Sequence, residues 1–141
     1  MVRMTETDLT TSLKTLSISE RPGRYCFVDI SDVKPGVVPA ATIREEEGVN
    51  AVVLVEEVLR GEPEFVATWL TLDVDSDLAA VGLTAAIATC LASEAIPCNV
   101  LAGKVHDHIL VPHRDAPLAI AALQDLAAAQ SLIERDEKTQ V

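Results

Sequence analysis

Aromatic residues are scarce in this chain of 141 residues, although apolar residues are not. Only 3% of the residues are aromatic, whereas 49% are apolar. The core must therefore be built from Ala, Val, Leu and Ile, which leave few large rings to line an apolar cofactor pocket. The composition gives no sign of a haem, a flavin or a long-chain lipid site, so we expect no cofactor.

Basic residues are also few, and they never form a run. The chain has 11 Lys and Arg against 22 Asp and Glu, which gives a formal net charge of −11. Such a field repels phosphate backbones and anionic membrane surfaces. We therefore expect no nucleic-acid partner and no membrane partner.

The sequence lacks the cysteine pattern of a secreted protein, and it lacks the apolar segments of a signal peptide or a membrane span. Cys26, Cys90 and Cys98 are an odd number and show no CxxC spacing, so they predict neither a disulfide framework nor a zinc cluster. The first ten residues contain no apolar core of a signal peptide. Every apolar stretch is shorter than the roughly 20 residues of a membrane span. We expect a reduced, cytoplasmic protein.

The chain is of a size usual for one domain, and its pattern changes near residues 61–63. The sequence divides into an N-terminal half, residues 8–62, a C-terminal half, residues 63–130, and a polar, flexible tail, residues 131–141. In the N-terminal half we predict an amphipathic helix over 8–16, strands over 25–30, 42–47 and 51–55, and a short helix or a turn over 56–60.

The C-terminal half has the clearer pattern. Residues 65–74 alternate as a strand does, and Leu83, Ile87 and Leu91 form a ridge on a helix predicted over 83–95. Pro97 should stop that helix. Strands are predicted over 98–102 and 106–111, then a helix over 116–129 whose apolar stripe is Leu118, Ala122, Leu126 and Ala129. The order β-α-β-β-α is that of a ferredoxin-like split βαβ sandwich.

Two segments of this half carry a resemblance to a known family. Residues 80–85 read Ala-Val-Gly-Leu-Thr-Ala at a helix start, and residues 98–100 and 106–112 read Cys-Asn-Val and His-Asp-His-Ile-Leu-Val-Pro. Together they resemble the small bacterial ACT-domain family of unassigned function and, more distantly, the cytosolic arginine sensors of animal cells. The resemblance implies an α+β fold: a ferredoxin-like (ACT) sandwich with an antiparallel sheet, duplicated with a reduced N-terminal half.

The resemblance also implies a ligand site at the loop before the first helix. There Gly82 lets backbone approach closely, and the free N–H groups of the helix start attract a carboxylate. The ligand would be a small amino acid or a related metabolite, held between this loop and another ACT unit. We predict that the site contains Ser76, Asp77, Val81, Gly82, Leu83, Thr84, Asn99 and Asp107.

Each of these residues also has a purely structural interpretation. Ser76 and Asp77 are typical caps and turn formers, and Gly82 suits a helix start without any ligand. Asp107 shares a strand face with Ile109 and Val111, so it needs a partner, which is either a ligand cation or nearby backbone N–H groups. Common ACT domains read Asp-x-Pro-Gly where this chain has Ala79-Ala80-Val81-Gly82, which puts the family's usual ligand in doubt.

Three functions remain open at this point. The first is a non-enzymatic regulatory module that forms a homodimer by side-by-side sheet packing. The second is an interaction subunit without a ligand, which regulates a partner enzyme. The third is a metal-dependent enzyme centred on His106 and His108, which share a strand face but lack a third ligand at convincing spacing.

Overall fold

The computed structural model describes Leu9, residues 12–74 and residues 82–140. Ser76, Asp77 and Val81 of the predicted site therefore lie outside the described residues. The strands are β1 Ser17–Glu20, β2 Tyr25–Asp29, β3 Ala41–Glu45, β4 Gly48–Leu54, β5 Ala67–Asp73, β6 Asn99–Ala102 and β7 Asp107–Pro112; the helices are α1 Leu83–Ser93 and α2 Ala116–Thr139. Leu9 and residues 12–14 are helical within the segment predicted as the first helix.

The strands that the structure describes form one antiparallel sheet of seven strands. Its order is β3-β4-β2-β5-β7-β6, and β1 pairs with β5. Ser17 lies opposite Asp73 and Glu20 lies opposite Leu70, while Tyr25 at the start of β2 lies opposite Ala67. β1 and β2 therefore follow one another along the same side of β5. The two halves of the chain are therefore joined in one continuous sheet along this edge of β5, which is called the seam below.

The main core lies between the sheet and the two helices. The ridge predicted for α1, made of Leu83, Ile87 and Leu91, is confirmed, since all three side chains are buried. They pack with inward-facing residues of β5, β7 and α2, which include Leu70, Leu72, Ile109, Val111, Ala119 and Leu123. The predicted order β5-α1-β6-β7-α2 is also observed.

Helix α1 ends in a Schellman motif rather than at a proline. The N–H of Ile96 donates to the Leu91 carbonyl at 3.0 Å, and the N–H of Ala95 donates to the Ala92 carbonyl at 3.0 Å. Ala95 adopts a left-handed conformation, with φ of 56°, where glycine is the usual residue. Pro97 follows the motif, so the helix has already ended when the proline is reached.

The opposite face of β5 is buried as well. Trp69 on that face is only 3% exposed and packs with Tyr25, Val52 and Leu110. The Tyr25 and Trp69 ring centroids lie 5.5 Å apart, so Trp69 packs against the N-terminal half of the chain. Residues of the N-terminal half thus pack beside Trp69 on this face of the sheet, while the helices cover the other face.

Two predictions about helix α2 are wrong. The helix continues to Thr139 instead of ending at Ala129, so most of the segment predicted as a polar tail is helical. Its buried face contains Ala116, Ala119 and Leu123, whereas Leu118 of the predicted stripe is 48% exposed. Alanines lie on most sides of this helix, so periodicity could not distinguish its inner face from its flank.

Strand β1 was not predicted. Only Ile18 among its four residues is apolar, and this side chain packs against the main core. One apolar position is too little for an alternating pattern to be recognised. Among the described residues, no helix is long and apolar enough to cross a membrane.

Candidate functional site

The helix start predicted to bind a ligand is built around Gly82. Its φ of 99° lies in the left-handed region, which explains a glycine here without any ligand. A Cβ at this position would lie 3.4 Å from Leu9 Cδ2, so the N-terminal segment of the same chain packs against it. Leu83 points into the core and Thr84 is exposed. The ligand role of these three residues remains a prediction.

Asp107 and Asn99 lie at different positions along the strands of the sheet. Asp107 at the start of β7 is half-buried and pairs with Leu72, near the end of β5 that leads towards α1. Asn99 is exposed and pairs with Leu110, which lies opposite Trp69. Three residues along a strand correspond to roughly 10 Å. The structure therefore does not bring Asn99 next to Asp107.

The two histidines of the motif, His106 and His108, lie near Trp69 and Thr71 on the sheet face opposite the helices. Nδ1 of His108 accepts a hydrogen bond from Nε1 of Trp69 at 3.1 Å and lies 3.0 Å from Oγ1 of Thr71. An indole N–H can only donate, so Nδ1 is an acceptor and the neutral ring carries its proton on Nε2. Burial lowers the pKa of His108, and the positive charge of Arg21 and the neighbouring His106 lower it further. His108 is thus a neutral structural partner of Trp69.

This arrangement argues against the metal-site hypothesis. The rings of His106 and His108 are 6.5 Å apart between centroids, but Nδ1 of His108 is occupied by Trp69. His106 Nδ1 is buried without a hydrogen-bond partner among the described residues, and it lies 3.8 Å from Asp73 Oδ1. No group of three metal-binding side chains occurs in the part of the chain that the structure describes.

Arg21 completes the cluster from the other half of the chain. Its guanidinium carbon lies 4.2 Å from the centroid of the Trp69 ring and 6.0 Å from that of Tyr25. This is the geometry of a cation–π contact. Sequence reasoning missed Arg21 because it follows β1, the strand that was not recognised. The only local sign of this cluster in the sequence was that Trp69 and Thr71 lie two residues apart on one strand and so share a face.

A groove at the opposite end of β5 was also missed. Its volume is about 470 Å³, and it lies where β5 and β6 begin and β7 ends. The charged or titratable residues that line it are Arg24, Glu64, His113 and Arg114, and the apolar residues are Phe65, Val66, Pro97 and Pro112. These residues come from four separate segments, so no sequence motif could have predicted the groove.

Comparisons with known proteins agree with this architecture. Two family models described as ACT domain match the chain, one over residues 4–60 and one over residues 64–125. The solved structure of a protein of unknown function from Vibrio cholerae, described as a possible transport protein, is 36% identical and has a TM-score of 0.73; the match covers 86% of this chain and 97% of that one.

A second solved structure, of a protein from Agrobacterium tumefaciens, is 18% identical with a TM-score of 0.57, and the match covers 79% of this chain and 89% of that one. At this identity the likeness concerns the fold alone. No protein of curated function matches the chain. The duplicated ferredoxin-like α+β fold expected from the sequence is confirmed by the two ACT matches. The chain belongs to the family of small ACT-domain proteins.

Proposed function

We propose that this protein is a regulatory module that binds a small amino acid, or a related metabolite, where two ACT units meet. The observation that carries the proposal is the joining of two ACT-type units in one chain. β1 and β2 both pair with β5, and Tyr25 packs on Trp69 across the seam. ACT domains are commonly regulatory ligand-binding modules, which supports regulation over catalysis.

The helix start supports one way of holding such a ligand. Unpaired backbone N–H groups at the start of α1, together with the helix dipole, would attract the ligand's carboxylate. Thr84 offers an exposed hydroxyl in the same turn, and Asp107 offers a carboxylate for an amino or guanidinium group. Because Leu9 packs against Gly82, a ligand that reaches the Gly82 backbone must pack on Leu9 or displace it.

Regulation would follow from a difference in affinity between two arrangements of the ACT units. A ligand that contacts both units favours the arrangement in which both contacts form. That shift would change the affinity of the module for a partner enzyme. The proposal requires no reaction at the site.

The strand β6 supports a homodimer formed by side-by-side sheet packing. Within the described residues it pairs only with β7, so its other edge is open. The strand contains neither a charged residue nor a proline, and Val100 is 37% exposed. Such an edge can pair with a second copy of the chain. Light scattering at tens of micromolar should give a dimer, and Val100→Lys should shift it towards monomer; a wild-type monomer would disprove the dimer.

We also propose a cytoplasmic location, supported by the state of the cysteines. Cys26, Cys90 and Cys98 are all free. Burial raises the pKa of each thiol, so they remain protonated and weakly reactive. Fractionation of cells that express the full chain would test the location.

A thermal-shift screen against the twenty amino acids at millimolar concentration tests the ligand-binding proposal. A ligand present at 100 times its Kd should stabilise the protein by about 2.7 kcal/mol, which corresponds to several degrees in Tm. Calorimetry on Thr84→Val and Asp107→Asn would then examine the helix start, with Asp125→Asn on the exposed side of α2 as the matched control. Equal ligand affinity in all variants would show that the ligand binds away from the start of α1.

A flat screen of a folded protein would favour a second function. The absence of the Asp and the Pro that usually precede the helix glycine supports an interaction subunit that has lost its ligand. Such a subunit would still bind an enzyme and change its activity. Affinity purification of the full chain, followed by assay of the copurified enzyme with and without it, would test this alternative.

A further inference from the structure

The groove lined by Arg24, Glu64, His113 and Arg114 concentrates positive charge in a strongly acidic protein. The chain has a net charge of −11, yet this groove contains two guanidinium groups and an imidazole beside one carboxylate. Arg24 forms no ion pair with any described residue. Arg114 Nε lies 3.9 Å from Oδ2 of the adjacent Asp115 and its side chain is 85% exposed, so that pair is weak. Both arginines are therefore available to an external anion.

The walls of the groove come from both halves of the chain and are fixed by backbone hydrogen bonds. On the N-terminal half, the carbonyl of Arg24 accepts from the N–H of Val55 at 2.9 Å. On the C-terminal half, the N–H of His113 donates to the carbonyl of Val66 at 2.9 Å. A ligand in this groove would contact both ACT-type units at once.

The imidazole of His113 is held in one orientation by a buried hydroxyl. Its Nδ1 lies 2.8 Å from Oγ1 of Thr68, which is only 1% exposed. The Thr68 hydroxyl can donate to Nδ1 or accept from it, so this contact fixes the position of the ring and not its tautomer. In the tautomer in which Thr68 donates, the Nε2–H of the ring is free to donate to a ligand oxygen. Thr68 serves as a positioning residue for this ring.

The remaining lining residues define the kind of ligand that fits. A simple anion would pair with Arg24 and Arg114 but leave Glu64 without a partner, and a simple cation would leave both arginines without one. A molecule with both charges satisfies all of these groups, and the apolar wall formed by Phe65, Pro97 and Pro112 suits a hydrocarbon side chain. A volume of about 470 Å³ lies in the usual range of small-molecule sites.

We propose that this groove binds a zwitterionic amino acid with an apolar side chain. Arg24, Arg114 and His113 donate to its carboxylate, and Glu64 accepts from its ammonium group. The class of ligand rests on the proposed function, whereas the place rests on the groove alone. The groove lies at the end of β5 away from Gly82, so the two locations can be tested separately.

Backbone amide NMR of the full chain, titrated with leucine at millimolar concentration, tests the location. Leucine should shift the amides of Phe65, Val66 and Arg114. Shifts confined to the amides around Gly82 and Thr84 would overturn the groove while leaving the proposed function intact. No shift with leucine, in a protein stabilised by another amino acid in the thermal screen, would also overturn the groove; a flat screen together with no shift would overturn both.

Charge variants test the chemistry. The double variant Arg24→Gln with Arg114→Gln should weaken leucine binding by about tenfold or more, because charge-assisted hydrogen bonds to the carboxylate are lost. Arg44→Gln is the matched control, since Arg44 is also an exposed arginine and lies on the distant strand β3. All of these side chains are on the surface, so the variants should fold. Equal leucine affinity in the double variant and the control would contradict the proposal.

Ligand analogues distinguish a zwitterion site from a plain anion site. 4-Methylpentanoate keeps the carboxylate of leucine and lacks the ammonium group, while 3-methylbutylamine keeps the amine and lacks the carboxylate. Both should bind less tightly than leucine, and Glu64→Gln should reduce leucine affinity while it improves that of 4-methylpentanoate. Tighter binding of 4-methylpentanoate than of leucine by the wild-type protein would overturn the zwitterion assignment.

Discussion

Trp69 and His108 are joined by a hydrogen bond from the indole Nε1 to the imidazole Nδ1, at 3.1 Å, with ring centroids 5.2 Å apart. The two residues lie diagonally across the paired strands β5 and β7. The bond fixes the tautomer of His108 and satisfies the N–H of a buried tryptophan. His108, which suggested a metal on sequence grounds, therefore holds the tryptophan against which Tyr25 and Arg21 of the N-terminal half pack.

His108 should make stability depend on pH. Its folded-state pKa is lowered, first by burial and then by Arg21 and His106, with Asp107 acting in the opposite direction. Because the unfolded ring takes up its proton at a higher pH, near 6.5, the contribution is fully present above that pH. It is lost as the pH falls through the folded-state pKa.

Urea denaturation between pH 7.5 and pH 5 would measure this effect. The variant His108→Gln cannot titrate at this position and should lose less stability over that range than the wild type does. The NMR titration of the His108 ring in the folded protein provides a direct control. A folded-state pKa at or above the ordinary value of about 6.5 would contradict the prediction.

The contact of Arg21 with Trp69 should contribute measurably to stability. At 4.2 Å from the ring centroid, the guanidinium lies within cation–π range, where coupling energies are about 1 kcal/mol. A double-mutant cycle of Arg21→Gln and Trp69→Leu, measured by urea denaturation, should give a coupling of that size. Arg44→Gln in place of Arg21→Gln should show none, and equal couplings for both arginines would refute the contact.

Gly103 should not tolerate a side chain. In the turn between β6 and β7 its N–H donates to the His106 carbonyl at 2.9 Å, and a Cβ would lie 2.6 Å from that same oxygen. Gly103→Ala should therefore lower the free energy of unfolding by about 2 kcal/mol, as overpacking commonly does. Val105→Ala, in the same turn and 73% exposed, is the control. Similar urea midpoints for the two variants would show that the turn can relax.

Ala95 offers a substitution that should stabilise the protein. It occupies the left-handed position of the Schellman motif at the end of α1, where an L side chain is strained by about 1 kcal/mol. Ala95→Gly should relieve this strain and raise Tm. Ala92→Gly, within the same helix, should lower stability by about 1 kcal/mol instead. If both substitutions lowered Tm equally, the strain would not exist.

Most of the secondary structure of the C-terminal half could be predicted from the sequence. The alternation of β5, the ridge on α1 and the resemblance to ACT domains all arise from residues close together in the chain. Each is a local consequence of strand or helix period combined with burial. These signals gave the fold class and the order of the elements.

The candidate sites were only partly accessible from sequence. The motif selected Gly82, Thr84 and Asp107 by resemblance, and their ligand role is still a prediction. The motif could not reveal that Leu9 packs against Gly82, since the two residues are far apart in the sequence. The groove lined by Arg24, Glu64, His113 and Arg114 could not be predicted, because these residues come from segments that are far apart in the sequence and only the fold brings them together.

The sequence by itself determined an acidic, aromatic-poor ACT-type protein, because composition and short-range periodicity are properties of the chain alone. Only the tertiary structure decided that β1 lies beside β5, that Ala119 and Leu123 rather than Leu118 face the core, and that Arg21 stacks on Trp69. A strand with one apolar residue and a helix with alanines on most sides carry almost no local pattern. Their positions are chosen by the apolar surface that distant segments leave to be buried, which becomes defined only when the whole chain folds.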